Sequence, residues 1–441
     1  MGAWRRYSLL SREGMLFRKE LRELLRARAL WVLWIVLSLL VGYSFIQAVG
    51  LYAEASRTAI SSPGMARGLS PLDGVLVPTF GAYYVALTFL FPFLAIRLIG
   101  NEKQSGSVKF LLQLPARPSL VVGVKALALL LAGLLLALPG FSVVGIWISL
   151  GGHLHAPEVL NLVLGYGLYA LAVAGIAFFS SAVTESLSTA AVVALALILG
   201  SWVLDFAGGT AGGWSALSLT ASLRVFERGL FSWPHAWRFI CVGTVFMGSA
   251  ALWLPAAPMV RKILRVGLFA VAAAALGVVG GRARIYADVS EELRNSFNPA
   301  EERFLRGLGE PLTLTVHLSP EDSRFKDMDR NIFDKLRRLV PRLRIIVPEE
   351  KAGPLGASGG EDYGWIAYEY AGKQRRSTSN SDEEVFSILH ELAGQTVTPD
   401  PEKDYPGYPL VADARPWAFW FYGVLPALGL LGAWGSRRIS I

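Results

Sequence analysis

Five histidines and a single cysteine stand among 441 residues, and they set narrow limits on any chemistry this chain performs. His153 and His155 lie two residues apart in GGHLHAPE and could together ligate a metal, but that spacing in a short turn more often marks an interface. His235, His317 and His390 are isolated, and none sits in a recognisable nucleophile–base–acid motif, so structural roles suit them better. Cys241 lies inside an apolar run, which leaves no partner for a disulfide within the chain and no cysteine-rich metal site. No GxxxxGK[ST] phosphate-binding loop occurs. The expectation is a chain with no catalytic residue, no metal ligand and no cofactor of its own; if ATP drives it, ATP is bound elsewhere.

One stretch concentrates polar residues where the surrounding sequence excludes them: Gly100 to Lys125, GNEKQSGSVKFLLQLPARPSLVVGVK. Val75 to Ile99 before it and Ala126 to Leu150 after it are each long enough to cross a bilayer, so the stretch lies at one water interface. Val108, Leu111 and Leu112 fall on one helical face beside Phe110, and Pro115 with Pro118 ends that helix. A short amphipathic helix with a polar entry and a proline exit suits docking against a soluble partner; an ordinary interfacial loop shows the same spacing. Lys103, Lys109, Arg117 and Lys125 outnumber Glu102, which places the stretch on the cytoplasmic side.

The elements around it follow from composition. Hydrophobic residues make up 53% and charged residues only 17%, the profile of a multi-span membrane protein and not of a soluble enzyme. The net charge of +8 collects beside apolar spans, where it orients the chain and meets anionic lipid, so nucleic-acid binding has little support. Residues 1–28 read as a basic amphipathic interfacial helix, with Phe17, Leu21, Leu24, Leu25 and Arg28 on one face and Arg18, Lys19, Arg22, Glu23 and Arg26 turned away. The apolar run Leu30 to Val49 is too long for a signal peptide.

Seven spans are expected within residues 29–281: Leu30 to Val49, Val75 to Ile99, Ala126 to Leu150, Leu160 to Ala182, Thr189 to Leu204, Trp237 to Met259 and Val266 to Gly281. The seventh is rich in small residues, which favours burial against other helices. Between spans five and six, Leu219, Leu223, Phe226 and Leu230 recur at helical spacing beside Glu227 and Gly229. They predict an amphipathic helix on the outer bilayer surface, with Trp214, Trp233 and Trp237 at headgroup depth, or a hairpin packed among the spans.

Residues 282–414 change character. Strands are predicted at Leu312 to Leu318, Leu343 to Val347 and Trp365 to Tyr370, with Ala371 to Lys373 turning a hairpin and helices at Asp327 to Leu339 and Asp382 to Ala393. Trp417 to Trp434, within residues 415–441, is the eighth span. The fold class is thus a polytopic α-helical membrane protein with a small extracytoplasmic α/β domain between spans seven and eight. Both termini are expected inside a multi-pass inner-membrane protein. Arg97, Lys125, Glu185 and Asp205 all fall near span ends, so the mid-membrane lacks the ionisable groups that ion and proton carriers use.

Residues 12–258 resemble an ABC-2 type permease, the membrane half of an ATP-binding-cassette exporter. The likeness rests on the basic helix before span one, on NEKQSGSVKFLLQLPARPSLVVGVK, and on FERGLF before span six. The family pattern of a Glu, a Gly, a Leu pair, Pro, a basic residue and a final Lys falls here on Glu102, Gly106, Leu111 with Leu112, Pro115, Arg117 and Lys125. The resemblance implies that this stretch is a coupling helix seated on a separate ATPase, which holds the ATP and Mg. It also implies a second permease copy, identical or related. Asp288, NSFNPAEERFLRGLGEPLTLTVHL and YGWIAYEY resemble the auxiliary domain of gliding-motility type ABC transport systems, a platform for an extracytoplasmic partner or a cap over an exit. The activity implied is export or extraction of an amphiphile; the alternatives are mechanical transmission to an outer protein without translocation, and a membrane anchor without energy coupling.

Overall fold

A computed structural model describes residues 2–107, 117–211, 217–320, 322–348, 363–401 and 405–438. They form two compact units, one from the described residues of 1–205, 216–287 and 406–441, the other from those of 206–215 and 288–405.

In the first unit, α1 (Gly2–Arg26) leads through Ala27, whose extended ψ of 120° breaks the helix, into α2 (Arg28–Ser61). There follow α3 (Leu72–Gln104), α4 (Pro118–Ser149), α5 (Ala156–Val183) and α6 (Leu187–Ala211), then the short α7 (Leu219–Glu227). Strand β1 (Leu230–Ser232) precedes α8 (Trp233–Trp253) and α9 (Met259–Gly281), and β2 (Tyr286–Asp288) pairs with β1. With the C-terminal helix (Arg415–Ser436), eight helices among the described residues are long and apolar enough to cross a membrane.

Most of them outrun the expected spans. The 34 residues of α2 absorb about half of the stretch between the first two expected spans, because Tyr52, Ala53, Ser56 and Ala59 continue its buried face. At about 1.5 Å per residue such a helix exceeds the roughly 30 Å hydrocarbon layer. Helix α3 carries widened π turns at Leu72–Leu76 and Ala86–Leu90, before Pro78 and Pro92. Helix α4 is interrupted at Ala137, just ahead of Pro139. There the Tyr83 hydroxyl accepts from the Gly140 N–H (2.7 Å) and donates to the carbonyls of Leu136 and Ala137 (3.2 Å each), satisfying backbone groups that the break releases.

Small residues set the closest helix contacts. A Cβ at Gly175 would sit 2.5 Å from the Gly243 carbonyl oxygen, so α5 and α8 touch backbone to backbone. The C-terminal helix lies on α2, where Phe421 fills the space above Gly42 and the Trp34 indole donates to the Leu425 carbonyl (3.0 Å). Helix α9 corrects the expectation of burial: none of its residues is buried in this chain. Its glycines let the Trp233 and Trp237 indoles reach the Gly280 and Gly277 carbonyls (3.1 Å each), which fixes it along α8 and leaves its far face uncovered.

In the second unit a four-stranded sheet runs in the order β4 (Leu343–Ile346), β3 (Leu312–Val316), β5 (Ile366–Tyr370), β6 (Lys373–Ser377). Only β3 and β4 are parallel, and Leu312, Leu314 and Val316 alternate into the core as period two requires. Ala371 and Gly372, with φ of 51° and 76°, turn the β5–β6 hairpin. Helix α10 (Pro299–Arg306) is followed by a helical run over residues 323–339 and by α11 (Asp382–Ala393). Ser381 caps the start of α11, and Gly394 in the left-handed region ends it.

Candidate functional site

On α1 the apolar face of Phe17, Leu21, Leu24 and Leu25 packs against the bundle. Glu20 stands on that same face, three residues after Phe17 and four before Leu24, so its carboxylate is carried into the interior. At the start of α4, Lys125 shares a face with buried Val121, Val122, Ala128 and Leu129, and at the end of α3 Glu102 follows buried Leu98 and Ile99. Helix packing therefore delivers three charges to one buried place.

They close into a ring with Lys19. The Lys125 ammonium lies 2.8 Å from Glu20 Oε2 and 2.8 Å from Glu102 Oε2. Lys19 Nζ lies 2.7 Å from Glu102 Oε1 and 3.3 Å from Glu20 Oε1, with Glu23 at 3.5 Å on its outer side. Every carboxylate oxygen of Glu20 and Glu102 thus faces an ammonium, and the side chains of Lys125 and Glu20 are 3% and 0% exposed, deep enough that neither charge is tolerable alone. Burial pushes the Glu20 carboxyl above the usual carboxylate range, against the pull of Lys125. Burial alone would lower Lys19, but hydrogen bonding to Glu102 and the charges of Glu102, Glu20 and Glu23 outweigh it and hold the ammonium above the usual lysine range. The carboxylates of Glu20, Glu23 and Glu102 come within 4.8 Å of one another, as cation ligands do, but the two ammonium groups already occupy the oxygens of Glu20 and Glu102.

The neighbouring residue fastens α3 on its other side. Lys103 donates to the carbonyls of Ala182 (2.8 Å) and Thr184 (2.5 Å), filling orphan acceptors where α5 ends and where the helix dipole favours a cation. Gly106, at φ 75°, closes α3 in a left-handed cap. Arg117 is exposed and stands immediately before Pro118 at the start of α4. Phe110, Leu111, Leu112 and Pro115 lie outside the described residues. The ring and Lys103 therefore bind both roots of the α3–α4 segment to α1 and α5.

A second cluster gathers around α7. Leu223 and Phe226 are buried, so the apolar face of α7 turns into the bundle and not toward lipid. Phe226 fills the space over Gly165 of α5, Asn161 donates to the Phe226 carbonyl (2.9 Å), and Tyr166 donates to Glu227 (2.7 Å). Burial raises the Glu227 carboxyl above its usual range, opposed by Tyr166, Arg224 and Arg228. Gly229, at φ 76°, ends the helix. Trp214 is outside the described residues. His153 stacks on Tyr408, with ring centroids 3.5 Å apart.

Residues 15–279 match the family model described as ABC-2 family transporter protein. This chain belongs to the ABC-2 transporter family. No curated protein and no solved structure gives a significant match. As an ABC-2 chain with eight apolar helices it is a multi-pass membrane protein, a transport subunit and not a catalytic one, and membership implies partnership with an ABC ATPase. The ring and the α7 cluster both lie inside the ABC-2 match, whereas the sheet of the second unit lies beyond it. In the sequence Glu102 and Lys125 share one stretch, whereas Lys19 falls on the turned-away face of the basic helix and Glu20 belongs to neither predicted face. The available signal for Glu20 was a carboxylate at helical spacing from Phe17 and Leu24.

Proposed function

We propose that this chain is the permease subunit that couples ATP hydrolysis in a separate ATPase to export or extraction of an amphiphile, with the α3–α4 segment as the ATPase contact. The observation that carries the reading is the Lys19–Glu20–Glu102–Lys125 ring. A push on that segment acts on both of its roots, and through them on α1 and on the end of α5, so one local contact moves four helices together. Orientation supports it: Arg18, Arg22, Arg26, Arg28, Lys103, Arg117, Arg261 and Lys262 belong to helix ends or loops that alternate to this side, the cytoplasmic one by the positive-inside rule. ATP and Mg sit in the partner, and a second permease copy completes the path. ATP binding draws two ATPases together and rocks the bundles; the rocking performs work only if nucleotide states differ in their affinity for the two arrangements.

In this reading the α/β unit is extracytoplasmic, a platform or exit cap of the gliding-motility auxiliary type. The unit packs around its own core of Leu312, Leu314, Phe333, Leu336 and Tyr368, and mechanical transmission through it to an outer protein is the second reading. ATP-dependent movement of a labelled lipid in liposomes selects transport; its absence, with a soluble protein captured by the outer unit, selects transmission.

Phe110→Asp tests the contact. A charge at the centre of an apolar docking helix is expected to weaken ATPase association by about tenfold or more, read by co-purification and titration. Unchanged association, or no ABC ATPase that binds the wild-type chain, overturns the reading.

A further inference from the structure

One cation of the membrane unit has no counter-charge among the described residues. Arg238, the sixth residue of α8, is half-buried, and its Nη1 donates to the Ser222 hydroxyl of α7 (2.6 Å). Ser222 is wholly buried and donates its own proton to the Ser218 carbonyl (2.9 Å), so it offers the arginine a lone pair and holds the guanidinium at the α7–α8 junction. No described carboxylate pairs with Arg238; the one titratable group that acts on its charge is the Tyr286 phenol of β2. Lys125, by contrast, meets two carboxylates, and Lys103 meets two carbonyls. A guanidinium carries five N–H donors. The Nε–Nη2 edge of Arg238, the edge that grips an oxyanion through two parallel bonds, makes no hydrogen bond among the described residues.

The surroundings do not supply the missing charge. Phe226, one turn beyond Ser222 on α7, and Phe239, the residue after Arg238, are both fully buried, so the wall beside the guanidinium is aromatic. A cation held in such a wall is costly without an anion. In the orientation proposed above it also stands at the outer end of its span, where the positive-inside rule gives no reason for an arginine. An ionisable side chain turned inward from a membrane span marks the path of a ligand. We propose that the Nε–Nη2 edge of Arg238 binds the oxyanion, phosphate or carboxylate, of the amphiphile that this permease moves, so that the cargo is an anionic amphiphile. The assignment rests on the transport reading. Bulk lipid is the other source of an oxyanion at this depth, but the guanidinium is drawn against a wholly buried hydroxyl, which favours a cargo within the bundle.

The test uses the full chain in phosphatidylcholine nanodiscs without any ATPase, so its failure is distinct from failure of the ATPase contact, which Phe110→Asp probes. The probes are an alkyl phosphate and an alkyl carboxylate with a photoreactive diazirine on the chain beside the headgroup, and an alkyl glucoside of the same chain as the neutral control. Crosslinked residues are located by peptide mass analysis. At least one acidic probe is expected to label residues between Ser218 and Phe239 saturably, above the glucoside by about tenfold or more, the range for a hydrogen-bonded charge. Arg238→Gln should abolish that excess, and Arg238→Lys, which keeps the charge but loses the fork, should retain only part of it. Ser222→Ala should lower it severalfold by releasing the guanidinium. A melting temperature matching wild type verifies that the glutamine variant is folded; if it is not, the lysine and alanine variants carry the comparison. Phosphatidylglycerol at about a third of the lipid separates the two sources of oxyanion. Labelling that persists supports a cargo site, whereas labelling abolished assigns the oxyanion to bulk lipid and overturns the proposal. Equal labelling by the glucoside, or the full excess in Arg238→Gln, overturns it as well.

Discussion

Lys125→Met is expected to destabilise the membrane unit by about 3–5 kcal/mol, the cost of removing one partner from a buried ion pair. The ammonium touches Glu20 and Glu102 at 2.8 Å each, and without it two buried carboxylates share Lys19 alone. Thermal unfolding of the full chain in one detergent reads the loss. Glu20→Gln combined with Lys125→Met leaves Lys19 and Glu102 as a matched pair, so the double variant should recover more than half of what the single variant loses; the cycle isolates the coupling. The pH dependence has a definite sign. Burial already raises the Glu20 carboxyl, and removal of Lys125 removes the main opposing charge. A carboxyl raised in the folded state binds its proton more tightly there than in the unfolded chain. Its contribution is fully present below the unfolded value and is lost as pH rises through the folded one, so the single variant should regain stability on acidification. A loss under about 1 kcal/mol, with no gain at lower pH, would mean that the ring is not the fastening described.

Gly175→Leu is expected to have the other large effect. Even a methyl group at Gly175 meets the Gly243 carbonyl oxygen at 2.5 Å and its Cα at 2.9 Å, and backbone cannot rotate out of the way. Alanine there should cost about 1–3 kcal/mol, the range for overpacking, and leucine must drive α5 and α8 apart. That separation strains both clusters, since α5 also accepts Lys103 at its end and carries Tyr166 and Asn161 against α7. The expected result is a folded but less stable alanine variant and a leucine variant lost to aggregation, read by size-exclusion profile and melting temperature. Wild-type behaviour of the leucine variant would contradict the close helix contact.

Much of the membrane unit was legible because its signals are local. Span-length apolar runs mark the eight membrane-length helices found among the described residues, and in the second unit the alternation of Leu312, Leu314 and Val316 marks a strand. The ring was not local: Lys19 finds Glu102 across 83 residues, and Lys125 finds Glu20 across 105. Nothing in a basic amphipathic helix distinguishes a carboxylate that will be buried from one that will be solvated until the opposing lysine is placed. Small residues on α9 posed a similar ambiguity, since a helix packed along one neighbour has the same composition as one packed among several. The two indole contacts from Trp233 and Trp237 decide it, and they depend on the course of α8. Leu223 and Phe226 likewise gave the amphipathic face of α7 but not the medium it faces, which is set by Gly165 and Asn161 on a different helix.

A density map of the purified complex with its ATPase bears hardest on the proposed seat of that ATPase, the α3–α4 segment fastened at both roots by the ring and Lys103. ATPase density is expected on the segment between Gly106 and Arg117, at the end of the bundle where Lys125 meets Glu20 and Glu102. An ATPase seated elsewhere on the chain, or a map in which that segment touches no partner, would contradict it.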